Sequence, residues 1–585
     1  MGSEQDEKKD IITDSLDSVC TYNDLIQLIQ ARFEESQVPD NKRIQWLRSQ
    51  VIGSHAEFET PFGERMITYA DHTATGRCLH YIEDSIIHRV LPFYGNTHTS
   101  DSFVGIKTTR MVENATMYIK RCMGGGADDA LIFCGSGTTA AIKRLQEVMG
   151  VAIPSTMRET VVEKLREEER WVVFVGPYEH HSNLLSWRQS TVDVVEIGVD
   201  DDGLLDIEAL KQELKSSKYS NRPMLGSFSA CSNVSGILTD TRALARLLHE
   251  HGAFACFDFA TSGPYVEINM KSGEIEGYDA VFLSPHKFIG GPGSPGILLM
   301  NRALYQLKSS PPSTCGGGTE TLYHDNVEER EDAGTPPIIQ KIRAALAFWI
   351  KEFIGCQLIH LHETIYNEMA LTRLLSNPNV LILGNTEVKR LPIISFLVFP
   401  SSTINGGKPL HCRFVAKLLN DLFGIQARGG CACAGPYGHH LLGVDHKLSL
   451  AFRSAIQKGY SGLKPGWTRI SFSYYMSKEE CAFVLASIEF IAIYGHLFIP
   501  LYDFDWVTGD WTFRKRMKKH QGLDEIQTGT SGCSDAHEGN AKIKVKDRFV
   551  DYLFRAEYMA LSLPGDPNPG FVPEDIDPSL ILFRI

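Results

Sequence analysis

Ser284-Pro285-His286-Lys287, followed by Phe288-Ile289-Gly290-Gly291-Pro292-Gly293-Ser294-Pro295-Gly296, is the stretch on which the reading of this chain turns. An apolar strand, Ala280 to Leu283, delivers one lysine into a glycine-rich turn, and a second strand follows at Ile297 to Met300. A lysine held in a partly dry pocket sheds its charge readily and can form a Schiff base with a carbonyl compound. The plainer alternative is a hairpin with a solvated lysine at its tip, since glycine-rich turns are common.

Upstream of this turn the chain alternates. Short β-rich runs at Leu131 to Cys134, Trp171 to Val175, Val192 to Ile197, Met224 to Phe228 and Phe254 to Phe257 alternate with helical patterns such as Asp206 to Ser217 and Asp240 to His251. Strand, helix, strand at this spacing predicts right-handed crossovers and a mostly parallel sheet covered by helices, an α/β class. A large domain is expected over 70–335. From Ile338 the chain turns helical and then returns to strands near Leu391 to Phe399 and Trp467 to Ser473, which predicts a smaller α+β domain over 336–500. An N-terminal segment, 1–69, is expected to pack on the small domain. A C-terminal extension, 501–585, holds a polar linker at 521–541, helical spacing from Lys542 to Leu561, and a proline-rich end.

At 585 residues the chain is too long for one ordinary core, so two packed domains are the expectation. A net charge of −13 argues against bulk nucleic-acid binding, and no nucleic-acid partner is expected. The 13 cysteines form no regular framework, which fits free thiols in a reducing compartment. The acidic start, Met1 to Asp10, lacks the arginine-rich character of a transit peptide, so a cytoplasmic location is expected. The apolar stretch Ala482 to Pro500 is interrupted by Glu489 and His496 and reads as a buried helix, so no membrane span is expected. The basic run Arg514 to His520 reads as pairing with acidic surface before any nuclear-import role.

Two further motifs bear on the lysine. Gly135-Ser136-Gly137-Thr138-Thr139 closes a strand and opens a helix, an arrangement that cradles anions because free N–H groups and the helix dipole converge there. It could equally be an ordinary helix cap. Asp258, at the end of an apolar strand, sits where a parallel sheet presents ligands, and could hold a protonated ring nitrogen or simply cap a loop. Lysine, phosphate cradle and ring acid together are what pyridoxal 5'-phosphate asks of a protein.

With Glu179-His180-His181-Ser182-Asn183 added, the set resembles the class V aminotransferase family of fold type I, and most closely its cysteine desulfurase and selenocysteine lyase branch, over about residues 65 to 495. The resemblance implies a role for each matching residue. His180 stacks on the cofactor ring, Asn233 contacts its side, Asp258 pairs with the pyridinium nitrogen, and Lys287 is the Schiff-base lysine. Ser284, His286, Thr138 and Thr139 serve the phosphate. Thr335 of Gly334-Thr335-Pro336 reaches the phosphate of the neighbouring subunit's cofactor, which implies a homodimer with shared active sites. Arg469 of Thr468-Arg469-Ile470-Ser471 forks onto an amino acid carboxylate. In Arg428-Gly429-Gly430-Cys431-Ala432-Cys433-Ala434-Gly435-Pro436, Cys433 takes the nucleophile's place and Cys431 is an extra thiol; packing or a metal ligand is the other reading of the pair, although the spacing fits no common zinc pattern.

The departures bear on substrate. Asp71-His72-Thr73-Ala74-Thr75 puts a bulky His72 near the expected substrate side, and Thr261 replaces a family glutamine that bonds the ring hydroxyl. The activity implied is release of sulfur from L-cysteine, leaving alanine and a persulfide on Cys433, with a sulfur-acceptor protein as partner. Another class V reaction, such as transamination, epimerisation or a different β-elimination, and a scaffold that keeps the cofactor for structure, stand as alternatives.

Overall fold

The computed structural model describes residues 40–307, 310–317, 326–400, 407–514, 545–564 and 571–585. Its main sheet has seven strands, ordered in space Asp129–Cys134, Gly296–Asn301, Ala280–Leu283, Phe254–Asp258, Met224–Ser229, Val172–Val175, Asp193–Glu196. The last five are parallel to one another. Gly296–Asn301 runs antiparallel to both of its neighbours, so Asp129–Cys134 shares the direction of the parallel set. One edge of the sheet therefore collects the C-terminal ends of six strands, the edge at which open α/β sheets bind ligands. Val172–Val175 and Ala280–Leu283 are buried along their whole length, and Phe254–Asp258 at all but its first residue, as sheets covered by helices require.

A smaller antiparallel sheet has four strands in the order Val380–Ile382, Ile393–Val398, Trp467–Ser471, Arg428–Gly430. It packs against Cys412–Phe423 and Lys478–Tyr494, whose apolar faces fill the second core. Lys478–Leu501 is long and apolar enough to cross a membrane by length and composition, yet most of it is buried inside this core.

The boundary between the two units falls later than expected. Ile338–Ile354 packs with Phe103–Cys122 in the core of the large unit, because Ile342, Ala345, Phe348 and Trp349 turn toward it. The next helix, Cys356–Leu375, spans both cores: Leu358 and Ile359 lie in the larger, Tyr366, Ala370 and Leu374 in the smaller. The N-terminal segment also divides. Asp40–Gln50 sends Ile44 and Leu47 into the large core, while the hairpin Glu57–Met66 gives Phe62 and Met66 to the smaller one.

The extension wraps the smaller unit. Val545–Ser562 buries Phe549, Tyr552 and Met559 there. The end of the chain inserts Ile576, Leu580, Ile581 and Phe583 against Trp506, Phe452 and Leu463. Trp511 Nε1 donates to His411 Nδ1 at 2.9 Å, tying the extension to the second core. Of the basic run, 515–520 lie outside the described residues.

Candidate active site

The ends of these strands meet the smaller sheet around one cavity. Thr138, Thr139, His180, Asn233, Asp258, Thr261, Ser284, His286, Lys287, Arg428, Cys433 and Arg469 all line it. His72 and Thr335 do not.

The lysine turn and the anion cradle are built as one piece. Ser284 Oγ accepts the backbone N–H of Thr138 at 2.8 Å and lies 2.9 Å from Thr138 Oγ1. Gly137 has φ +57°, and a Cβ there would come within 2.7 Å of Ser284 Oγ, so the close approach needs glycine. Gly291 answers the same need below the lysine, since a Cβ would come within 1.9 Å of the Pro285 carbonyl oxygen. Thr139 Oγ1 lies 2.7 Å from Ser182 Oγ, and His286 Nδ1 lies 3.4 Å from Thr75 Oγ1.

Burial sets the charges. It lowers the Lys287 ammonium to about 8, opposed by Asp258 and assisted by Arg469 and Arg428. Burial likewise raises the Asp258 carboxyl to about 6, against the Ala260 N–H that donates to its Oδ1 at 2.8 Å and the nearby Lys287. His180 and His286 are each pushed down to about 4, chiefly by burial and then by Lys287, so both rings are neutral at pH 7.

Beneath His180 lies a network that motif reading leaves out. Glu179 is buried and accepts from the Ser229 backbone N–H at 2.9 Å and Ser229 Oγ at 2.8 Å, and also from Asn183 Nδ2. Burial raises its carboxyl to about 7. The sequence signal for it was the acid directly before His180.

Asp71 is the second residue that motif reading leaves out. Its Oδ1 accepts from Arg469 Nη2 and its Oδ2 from Arg428 Nε, each at 3.0 Å. Arg469 Nη1 donates to the Asn233 carbonyl at 3.0 Å. Among the described residues, Arg469 Nε and Asn233 Oδ1 are buried with no hydrogen-bond partner. Orphaned polar atoms on a cavity wall are what a polar ligand would satisfy.

His72, expected near the substrate, does not line the cavity. It is buried behind the wall, edge-on to Tyr69 and Tyr475 with ring centroids 4.8 and 5.3 Å away, and its Nε2 lies 3.3 Å from Tyr475 Oη. Thr73 and Ala74 line the cavity in its place. The bulky ring is accommodated between Tyr69 and Tyr475, both edge-on to it. Thr335 is exposed, outside the cavity of its own chain. Cys433 is exposed where it lines the cavity, whereas Cys431 is partly buried beside Tyr437 and Trp467.

The model of the family "Aminotransferase class-V" matches residues 68–484. A probable cysteine desulfurase of Streptomyces coelicolor is 24% identical over 436 residues, covering 73% of this chain and 92% of the relative. A cysteine desulfurase of Haloferax volcanii is 26% identical over 449 residues, covering 75% and 91%. The solved apo structure of a cysteine desulfurase from Thermococcus onnurineus matches with a TM-score of 0.58 at 22% identity, over 77% of this chain and 98% of its own. An Escherichia coli cysteine desulfurase structure matches with 0.56 at 19%, over 76% and 97%. These structures establish the fold, the PLP-dependent transferase type I fold expected from the sequence. The match over most of the chain makes it a member of the class V aminotransferases, a family of pyridoxal-phosphate-dependent enzymes.

Proposed function

We propose that this protein is a cysteine desulfurase: it takes sulfur from L-cysteine and leaves alanine and a persulfide on Cys433. One observation carries the reading. An exposed thiol, Cys433, shares a cavity wall with a lysine of depressed pKa, a buried strand-end carboxylate and a buried arginine. The names of the relatives support the same reaction class.

The residues present fit pyridoxal 5'-phosphate. Thr138, Thr139, Ser284 and His286 form the cradle for its phosphate, Asp258 would hold its ring nitrogen, His180 its face, and Lys287 its aldehyde carbon. Bound there, it supplies an electron sink for charge that develops at the substrate's α-carbon. Thr261 leaves the ring hydroxyl without the family's glutamine.

The chain's own groups divide the work. Arg469, with Nε unpaired, takes the substrate carboxylate. Lys287 Nζ, close to half neutral at pH 8, moves the α-proton. The Cys433 thiolate then attacks the substrate sulfur; an S–S bond forms and the carbon–sulfur bond breaks. One cysteine and one protein thiol give one alanine and one protein persulfide, so atoms and electrons balance. A thiol-bearing acceptor protein would take the sulfur onward, in the cytoplasm. Thr335, exposed and away from its own cavity, supports a homodimer in which it serves the partner's phosphate.

The test is product analysis with L-cysteine. Equal amounts of alanine and sulfide, under a reductant, are expected. A keto acid or racemised amino acid instead would assign a different class V reaction.

A further inference from the structure

The loop that carries Cys433 is bent against its own preference. Ala432 has φ +48° and Cys433 φ +56°, two consecutive side-chain-bearing residues in the left-handed region. Such a conformation persists only where its surroundings hold it. The Ala434 N–H donates to the Cys431 carbonyl at 3.1 Å and closes the turn, and three further hydrogen bonds tie it to its surroundings. Asn233 Nδ2 donates to the Ala432 carbonyl at 2.8 Å. The backbone N–H of His181 donates to the Cys433 carbonyl at 2.9 Å. The backbone N–H of Gly435 donates to His181 Nε2 at 3.0 Å. His181 thus grips the loop at two points, the Cys433 carbonyl through its main chain and the Gly435 N–H through its ring.

The ring contact has its own requirements. Gly435 is the first residue of the helix Gly435–Leu441, and its N–H is one of the orphan donors of a helix start. A Cβ on residue 435 would come within 3.0 Å of His181 Nε2, so the absence of a side chain there lets the imidazole approach. To accept that N–H, Nε2 must carry no proton. Burial, with Lys464 and Arg188 nearby, lowers the His181 pKa and keeps the ring neutral. The residue before it, His180, faces the cofactor cavity. One Glu-His-His segment therefore touches the cofactor site with its first imidazole and the nucleophile's loop with its second.

We propose that His181 is a positioning residue for Cys433, its imidazole acting as an acceptor latch that holds the loop in the left-handed bend from which the thiol reaches the cavity. The assignment of Cys433 as nucleophile rests on the desulfurase reading; the latch itself rests on the loop geometry.

The test compares holoenzyme carrying His181→Ala, which removes the acceptor, with His181→Gln, which offers an amide oxygen at similar reach. Alkylation of Cys433 by iodoacetamide is followed by peptide mass analysis, with Cys315, the other exposed thiol among the described cysteines, as internal control. His181→Ala is expected to change the Cys433 rate by about threefold or more while Cys315 stays constant, and His181→Gln to restore it. Alanine formation from L-cysteine should show a kcat about tenfold lower in His181→Ala with little change in KM, again rescued by Gln. Cofactor absorbance should be equal in all three proteins. Unchanged Cys433 alkylation in His181→Ala, or a Gln variant as defective as Ala, overturns the latch. No alanine from the wild type, with the alkylation pattern intact, overturns the desulfurase reading and leaves the latch standing.

Discussion

Arg428 and Arg469 face each other directly across the antiparallel pair formed by Arg428–Gly430 and Trp467–Ser471. Like charges in that register repel. Asp71 resolves the conflict by accepting from both, with its two oxygens each 3.0 Å from a guanidinium nitrogen. With Nη2 on Asp71 and Nη1 on the Asn233 carbonyl, Nε is left as the buried Arg469 nitrogen without a hydrogen-bond partner among the described residues.

Asp71→Asn should therefore raise KM for L-cysteine by about tenfold through loss of a charge-assisted hydrogen bond, with a smaller effect on kcat. Arg469→Lys should raise it by roughly ten- to a hundredfold, since an ammonium cannot reproduce the fork. Steady-state kinetics on both variants checks this. A lower KM in Asp71→Asn would mean that the aspartate competes with the substrate carboxylate.

The depressed pKa of Lys287 gives a pH dependence with a definite sign. A lowered lysine pKa means that the neutral amine appears earlier as pH rises, here through about 8 in place of the ordinary value near 10.4. Recombination of apoprotein with pyridoxal phosphate, followed by visible absorbance, should speed up with pH and reach half its limit near pH 8. A midpoint near 10 would show that the lysine is solvated. Lys287→Ala should lose the absorption band.

Thr335 is exposed in the single chain. If it serves a partner's phosphate, sedimentation should give a dimer, and Thr335→Ala should retain cofactor less well after gel filtration. Full activity from monomers at high dilution would contradict the shared-site reading.

Phe583 anchors the end of the chain, with its ring centroid 4.4 Å from that of His411 and 5.6 Å from that of Phe504. Phe583→Ala should cost about 3 kcal/mol of stability, read by denaturant titration, while cofactor absorbance is kept. A change under about 0.5 kcal/mol would show that the extension does not brace the smaller unit.

Much of this architecture was legible in the sequence because its signals are local. A fully buried strand reads as a continuous apolar run, so Ala280–Leu283 and Phe254–Asp258 announced themselves, and the residues at their ends, Lys287 and Asp258, followed. The strand-to-helix turn Gly135 to Thr139 was legible for the same reason. What stayed hidden depends on contacts between distant segments. Asp71 reaches Arg469 because Thr68–Tyr69 pairs with Ile425–Gln426 and the Ala70 carbonyl accepts the Ser471 N–H at 2.7 Å, and no periodicity encodes that. His72 looked like a substrate neighbour by position, yet its backbone turns it toward Tyr475. Ile338–Ile354 reads as any amphipathic helix, and which core it joins is a tertiary matter. Two residues apart, Cys431 and Cys433 would share one side of an extended strand; the left-handed φ of Ala432 and Cys433 replaces that picture with a held bend that leaves Cys433 exposed and Cys431 partly buried.

The proposed activity stands or falls with Cys433 as the acceptor of the substrate's sulfur. The most direct measurement is mass analysis of the Cys433 peptide after brief incubation of reductant-free holoenzyme with L-cysteine, beside Cys433→Ser. A peptide heavier by one sulfur atom is expected in the wild type, in step with alanine formed, and in Cys433→Ser a retained cofactor band with almost no sulfide release. An unmodified Cys433 with alanine still forming, or equal turnover of cysteine by Cys433→Ser, would contradict that role.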